Sequence, residues 1–117
     1  MTKRRNAVAA VIASAALALT GFVSASSASA AGAQVGVILP DAASSARWET
    51  ADRPFLAAAF KAAGVTADIQ NANGDKAKFA TIADQMLAKG VKVLIMAGLD
   101  SPSTAAIQAK AAKAGVK

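Results

Sequence analysis

Three amphipathic stretches of this 117-residue sequence end in the same pair, a glycine followed by a valine: Gly64-Val65, Gly90-Val91 and Gly115-Val116. Glycine is common just past a helix because it adopts the left-handed backbone conformation without strain, and valine favours strands. Each copy therefore predicts a helix that stops and a strand that begins. Because only Lys117 follows the third copy, we expect the N-terminal part of a longer protein, cut just inside a fourth strand, rather than a small complete domain.

The first thirty residues have the three parts of a secretory signal peptide. Residues 3–5 are basic, residues 7–23 form an apolar run, and Ala28-Ser29-Ala30 is a small-residue cleavage signal. The alternative is a single transmembrane anchor, but the apolar run is rich in alanine and contains serine, threonine and glycine, which makes a weak span. We predict cleavage after Ala30 and export to the periplasm, the cell envelope or the medium. No cysteine is present to carry a lipid anchor.

The composition removes several kinds of chemistry. The sequence has no Cys, His or Tyr, so disulfides, His/Cys metal sites and histidine acid–base catalysis are excluded for this chain. Without residues 1–30 the chain carries ten Lys or Arg and seven Asp or Glu, a net charge of +3. These charges are scattered rather than gathered into a stripe, so they do not indicate nucleic-acid binding.

Hydrophobic periodicity predicts three strands that alternate with three helices. The strands are expected at 34–39, 66–70 and 91–96, and the helices at 54–63, 75–90 and 101–115, with Asp75 and Ser101 as N-caps. This order with short connections is typical of a doubly wound parallel α/β sheet. The second strand is the less apolar and belongs near a sheet edge, whereas "VKVLIM" predicts a third strand covered on both faces.

Loops that follow parallel strands meet at the carboxyl edge of the sheet, where ligands bind in open α/β folds. These loops are 40–50, 71–74 and 97–101, and their candidate ligand-binding residues are Asp41, Arg47, Trp48 and Asp100. An indole face suits the C–H face of a pyranose, while guanidinium donors and carboxylate acceptors suit its hydroxyls. Structural alternatives stay open: Trp48 as a hydrophobic lid on the first helix, Asp41 as a turn acceptor, and Asp100 as a residue that prepares the third helix.

Other motifs fail. If Gly74 were the sixth residue of a calcium loop, the end ligands would be Ile69 and Ala80, which cannot coordinate calcium. No glycine-rich dinucleotide or phosphate loop follows the first strand, and Ser44 and Ser45 have no base to activate them. We therefore expect no metal, no cofactor and no enzyme activity in this part of the chain.

Five segments together carry a resemblance to a known family: VGVILPD (35–41), ARWETADR (46–53), DIQNANGD (68–75), IADQMLAKGVKVLIMAGLDSPS (82–103) and the helix end AKAAKAGVK (109–117). Over residues 33–117 the sequence resembles the N-terminal lobe of type I periplasmic sugar-binding proteins. Within that family it is most similar to the xylose-binding component of an ABC importer. Residues 31–117 would then be a partial lobe of a sugar-binding domain.

The resemblance implies a two-lobed, monomeric receptor that closes on a monosaccharide and is recognised by a membrane permease. It matches Arg47 and Trp48 to the sugar-contacting Arg-Trp of the family, and it matches Asp41 and Asp100 only by their place in the loops. The family's Asp-Arg ligand pair after the fourth strand would lie beyond Lys117. Two alternative functions remain: a sugar receptor that signals to a sensor kinase or chemoreceptor, and the N-terminal part of a secreted α/β enzyme.

Overall fold

A computed structural model describes residues 32–117, and the predicted signal peptide lies outside this range. The elements in chain order are β1 (Val35–Leu39), a π-helical segment (Trp48–Asp52), α1 (Arg53–Ala62), β2 (Ala67–Asn71), α2 (Lys76–Ala88), β3 (Val93–Met96) and α3 (Ser101–Lys113). Strands and helices therefore alternate as the periodicity predicts.

The three strands form one parallel sheet in the order β2-β1-β3. At the centre of the sheet, Val37 of β1 lies opposite Ile69 of β2 and Ile95 of β3. Each crossover places its helix over a face of the sheet, so the predicted doubly wound parallel α/β fold is confirmed. The edge position of β2 is also confirmed.

Side chains of β1 enter two separate cores because successive strand residues point to opposite faces. On one face, Ile38 packs with residues of α2 and α3, among them Phe79, Met86 and Ile107. On the other face, the buried residues Val35, Val37 and Leu39 pack against partly buried residues of α1 and its surroundings, namely Trp48, Leu56, Phe60, Val65, Ala67 and Ile69. The central strand is therefore covered on both faces.

The helices α1, α2 and α3 end in the same hydrogen-bonded turn. Gly64, Gly90 and Gly115 have φ values of 68°, 80° and 72°. The valine after each glycine donates its backbone N–H to the carbonyl five residues earlier, at distances of 2.9, 3.3 and 2.9 Å. This is the Schellman arrangement, in which a glycine with positive φ satisfies the last carbonyls of the helix. The repeated Gly-Val signal in the sequence therefore predicts the helix ends correctly.

The prediction that the third strand is covered on both faces is wrong for the described residues. Leu94 is buried, but Val93 and Ile95 on the other face are 36% and 42% exposed. The physical reason is that β3 lies at the sheet edge and α1 packs over β1 and β2. On the outer side of β3, Lys117 donates to the carbonyl of Lys92 and accepts from the N–H of Leu94.

Two helix starts differ from the predictions. The first helical turn begins at Trp48 in the π-helical segment, before the predicted start at Pro54, which nevertheless lies in the first turn of α1 as proline requires. The N-cap of α3 is Asp100, and Ser101 is already helical. Asp75 is the N-cap of α2 as predicted, accepting from two backbone N–H groups.

Between residues 32 and 117, no helix combines the length and apolar character that a membrane crossing requires.

Candidate functional site

Short contacts connect the three loops at the carboxyl edge of the sheet. The N–H of Gly74 in the second loop donates to the carbonyl of Pro40 in the first loop at 2.8 Å. Lys76, at the start of α2, forms an ion pair with Asp100 in the third loop. The parallel strands therefore bring the predicted loops to one rim, as the sequence indicates.

Arg47 and Trp48 form a stacked pair on this rim. The guanidinium carbon of Arg47 lies 4.8 Å from the centroid of the Trp48 ring, which is cation–π geometry. Asp52 holds the guanidinium there by accepting from Nε at 2.8 Å and from Nη2 at 3.1 Å. These bonds raise the pKa of Arg47 above its ordinary value. The Arg47 side chain keeps 63% of its surface exposed.

Trp48 is half-buried and packs against the Val35, Val37 and Leu39 cluster beneath it. It therefore covers part of the core on the α1 face, as the lid alternative expects. The ring also supports Arg47 at the rim. Contact of Trp48 with a ligand stays a prediction.

Glu49 is a functional candidate that the sequence analysis did not single out. Its carboxylate accepts from Nε and Nη2 of Arg53 and, at 2.6 Å, from the side-chain amide of Asn71. The bonds from Arg53 and then Asn71 lower the pKa of Glu49. The one sequence signal for this group is the i,i+4 spacing of Glu49 and Arg53.

Asp41 closes a turn at the start of the first loop. Its carboxylate accepts from the backbone N–H of Ser44 at 2.6 Å and from the Ser44 hydroxyl at 2.9 Å. Both bonds lower the pKa of Asp41. The turn-acceptor alternative therefore describes its contacts, and a ligand contact by Asp41 stays a prediction.

Asp100 caps α3 and is held from two sides. The ion pair with Lys76 and the bonds from the hydroxyl and backbone N–H of Ser103, at 2.7 and 2.8 Å, hold the pKa of Asp100 well below its usual value. Asp100 also lines an open groove with Gly98, Ser101, Thr104, Ala105 and Gln108. Lys76 is the second residue that the sequence analysis missed, although its place directly after an N-cap puts it on the same rim.

Among the described residues, no three acidic side chains gather in a way that could hold a metal ion. No hydrogen bond or ion pair within that range joins Asp41 or Asp100 to Arg47. The structure therefore brings Arg47 and Trp48 into direct contact, while Asp41 and Asp100 are held by other neighbours.

Comparison with known proteins identifies the fold family. The periplasmic binding protein domain family matches residues 35–117, which is most of the chain. This chain belongs to the periplasmic binding protein domain family. Among curated proteins, none matches the chain.

Two solved structures of solute-binding proteins are similar to this chain. A carbohydrate transporter solute-binding protein from Chloroflexus aurantiacus, in complex with D-glucose, is 34% identical over 73% of this chain and 24% of its own, with a TM-score of 0.64. An ABC transporter solute-binding protein from Clostridium phytofermentans, with bound β-D-glucose, is 29% identical over 70% of this chain and 25% of its own, also with a TM-score of 0.64. The chain spans about a quarter of the length of each.

These findings confirm the resemblance at the level of the periplasmic binding protein family. The two relatives hold glucose, and the likeness to a xylose-binding component stays a prediction. The ligand-binding roles of Asp41, Arg47, Trp48 and Asp100 also stay predictions, each now with a defined set of neighbours.

Proposed function

We propose that this chain forms part of one lobe of an exported receptor that binds a monosaccharide for an ABC importer. The observation that carries the proposal is the stacked pair of Arg47 and Trp48 at the carboxyl edge of the sheet. Family membership and the glucose bound to both structural relatives support a pyranose ligand. Glucose and a xylose-like pentose are the two candidates.

The rim offers donors and acceptors to a sugar. A guanidinium has five N–H donors, and Asp52 takes two of those of Arg47, so about three remain for hydroxyl oxygens. Asp41 and Asp100 are held as carboxylates by their neighbours and retain lone pairs for hydroxyl protons. The exposed part of Trp48 supplies an apolar surface for the C–H groups of the ring.

The predicted signal peptide supports export, and the family supports a periplasmic or envelope location. The partner is then a membrane permease that recognises the closed, ligand-bound form of a two-lobed protein. The ABC transporter relative supports this importer role over a sensor role. The full-length receptor acts as a monomer and performs no chemical reaction on the sugar.

Fluorescence of Trp48 tests the proposal directly. Trp48 is the single Trp of the sequence and there is no Tyr, so protein emission excited at long ultraviolet wavelength reports this residue alone. We expect D-glucose and D-xylose to change the emission with a dissociation constant on the order of 1 mM or weaker, because one lobe leaves the sugar partly in water. Sorbitol, which has no pyranose ring, should change nothing at the same concentration.

A matched pair of variants assigns the signal. Arg47→Ala should abolish the response to sugar, whereas Lys61→Ala removes one positive charge near the opposite end of α1 and should leave it intact. Equal responses to sorbitol and glucose, or an Arg47→Ala variant that responds like the natural chain, would refute sugar binding at this rim.

A further inference from the structure

Within the described residues, one side chain of the π-helical segment Trp48–Asp52, that of Glu49, joins it to a strand by a hydrogen bond. Glu49 lies next to Trp48 and accepts at Oε1 from the side-chain amide of Asn71, the last residue of β2, at 2.6 Å. Other side-chain bonds near the segment are local: Arg47 to Asp52, and the Thr50 hydroxyl to the carbonyl of Ala46. Within the described residues, the Glu49–Asn71 bond is the side-chain hydrogen bond that joins the segment to a strand.

Both partners of Glu49 also bond to other parts of the protein. Arg53 donates two N–H groups to Glu49 and, through Nη1, a third to the backbone carbonyl of Ile69 in β2. The side-chain oxygen of Asn71 accepts from the backbone N–H of Asn73 at 2.7 Å. Asn71 therefore bonds within the protein through both its amide nitrogen and its amide oxygen, which gives it a structural role at the rim.

These contacts form a carboxylate–guanidinium–amide clamp made of Glu49, Arg53 and Asn71. Both ionic partners are about one-third exposed, so water competes with the clamp less than with a fully exposed pair. Bonds to a charged carboxylate are stronger and more directional than neutral ones. A π-helical segment is less regular than an α-helix and often marks a functional site. A hydrogen bond from another element, here from Asn71, can therefore stabilise one conformation of the segment over others.

We propose that Glu49 is a positioning residue that fixes Trp48, and with it Arg47, relative to the end of β2. The clamp makes the first and second loops one rigid wall of the site. The effect of the clamp on sugar affinity rests on the proposed function, whereas its effect on the placement of Trp48 does not. Removing the clamp should let the segment move and expose the indole, without removing any group that touches the ligand.

The test uses a swap of hydrogen-bond donor and acceptor. Glu49→Gln places an amide group opposite the donors of Arg53 and Asn71, and Asn71→Asp places a second carboxylate beside Glu49. The double variant Glu49→Gln/Asn71→Asp reverses donor and acceptor across the same contact and keeps one negative charge for Arg53. Asp84→Asn is the matched control, because it removes one carboxylate from an ion pair with Lys110 between α2 and α3.

The readout is acrylamide quenching of Trp48 in the absence of sugar, with a thermal melt of every variant. We expect both single variants to increase the quenching constant and move the emission maximum to longer wavelength. The double variant should lie closer to the natural chain than either single variant does, and Asp84→Asn should show no change. If Glu49→Gln had the same quenching constant and the same melting temperature as the natural chain, the proposal would be wrong.

Two further outcomes remain decisive. If a single variant unfolds, recovery of folding and of natural quenching in the double variant supports the clamp, and an equal loss in the double variant overturns it.

Sugar titration separates this proposal from the proposed function. If the natural chain does not bind sugar but the variants change the quenching constant, the positioning role stands and the proposed function is refuted. If the natural chain binds sugar but no variant changes the quenching constant, the proposed function stands and the positioning role is refuted.

Discussion

The side-chain amide of Asn71 lies 2.6 Å from Oε1 of Glu49, so the end of β2 is bonded to the residue that follows Trp48. A second contact, the ion pair of Lys76 and Asp100, joins the start of α2 to the third loop. The three loops of the carboxyl edge are therefore connected in series by side chains. The site geometry depends on these tertiary contacts as much as on the parallel sheet that presents the loops.

Export should leave a protein that begins at Ala31. Ala28 and Ala30 are the small residues of the predicted cleavage signal, and a bulky residue at position 30 should block processing. Intact mass spectrometry of the protein secreted or released from a bacterial envelope measures the N-terminus. We expect Ala30→Leu to retain the leader. A natural chain whose leader stays attached would favour the membrane-anchor alternative.

Acid should destabilise the fold partly through Asp100. Its pKa is lowered in the folded state, chiefly by Lys76 and then by Ser103. Its contribution is therefore fully present above the unfolded value of 3.8 and is lost as the pH falls through the lower folded value. Asp100→Asn keeps a capping side chain but removes this titration, so its melting temperature should fall less than that of the natural chain between about pH 5 and about pH 2.

The Asp100→Ala variant separates the cap from the charge. Loss of the cap in Asp100→Ala should lower the free energy of unfolding at neutral pH, and Asp100→Asn should lower it less. Thermal melts of the three proteins at a series of pH values give both quantities. Parallel acid dependence of Asp100→Asn and the natural chain would show that this carboxylate does not gain its lowered pKa in the folded state.

Gly36→Ala should destabilise the protein because α2 packs directly on β1 at this position. A Cβ at Gly36 would lie 2.6 Å from Sδ of Met86 and 3.1 Å from Cδ1 of Leu94. Met86 is fully buried, so relief requires repacking, and we expect a loss of about 1–3 kcal/mol in the free energy of unfolding. Urea unfolding measures it. In a Met86→Ala background the same substitution should cost less, and an equal cost in both backgrounds would exclude this clash.

The exposed face of β3 should make residues 31–117, expressed on their own, self-associate. Val93 and Ile95 are adjacent on one strand face at the edge of the sheet, where apolar surface promotes pairing with other chains. Sedimentation velocity over a concentration series measures the association. The double variant Val93→Thr/Ile95→Thr keeps β-branched residues and should remain monomeric at higher concentration. Phe55→Ser, which changes the exposed aromatic of α1, serves as the control and should associate like the natural chain.

Local signals explain why much of the fold is predictable from this sequence. The Gly-Val pairs specify the helix ends because the Schellman turn depends only on neighbouring residues, and Asp75 specifies the start of α2 for the same reason. The exposure of Val93 and Ile95 is different. It depends on which helix crosses which strand, and an apolar run looks the same whether one face or both faces are covered.

The site is less predictable than the fold because its geometry is set between elements. Asp100 and Ser101 are both good N-cap residues, and Asp100 is the one that also reaches Lys76 from α2. In the sequence pattern Trp48 follows the eight residues 40–47 of a predicted loop, yet it begins a helical turn. Glu49 meets Asn71, which is 22 positions away, and spacing along the chain carries no sign of that contact.

The central claim is that a monosaccharide binds at the rim that carries Arg47 and Trp48. A two-dimensional ¹H–¹⁵N spectrum of the labelled chain, titrated with D-glucose, tests it most directly, because the one indole of the sequence gives one separate N–H signal. We predict that this signal, the Arg47 Nε–H signal and backbone signals from the three loops shift together, while signals from the Gly64, Gly90 and Gly115 turns stay in place. Shifts confined to those glycine turns, or a glucose titration identical to one with sorbitol, would contradict the account.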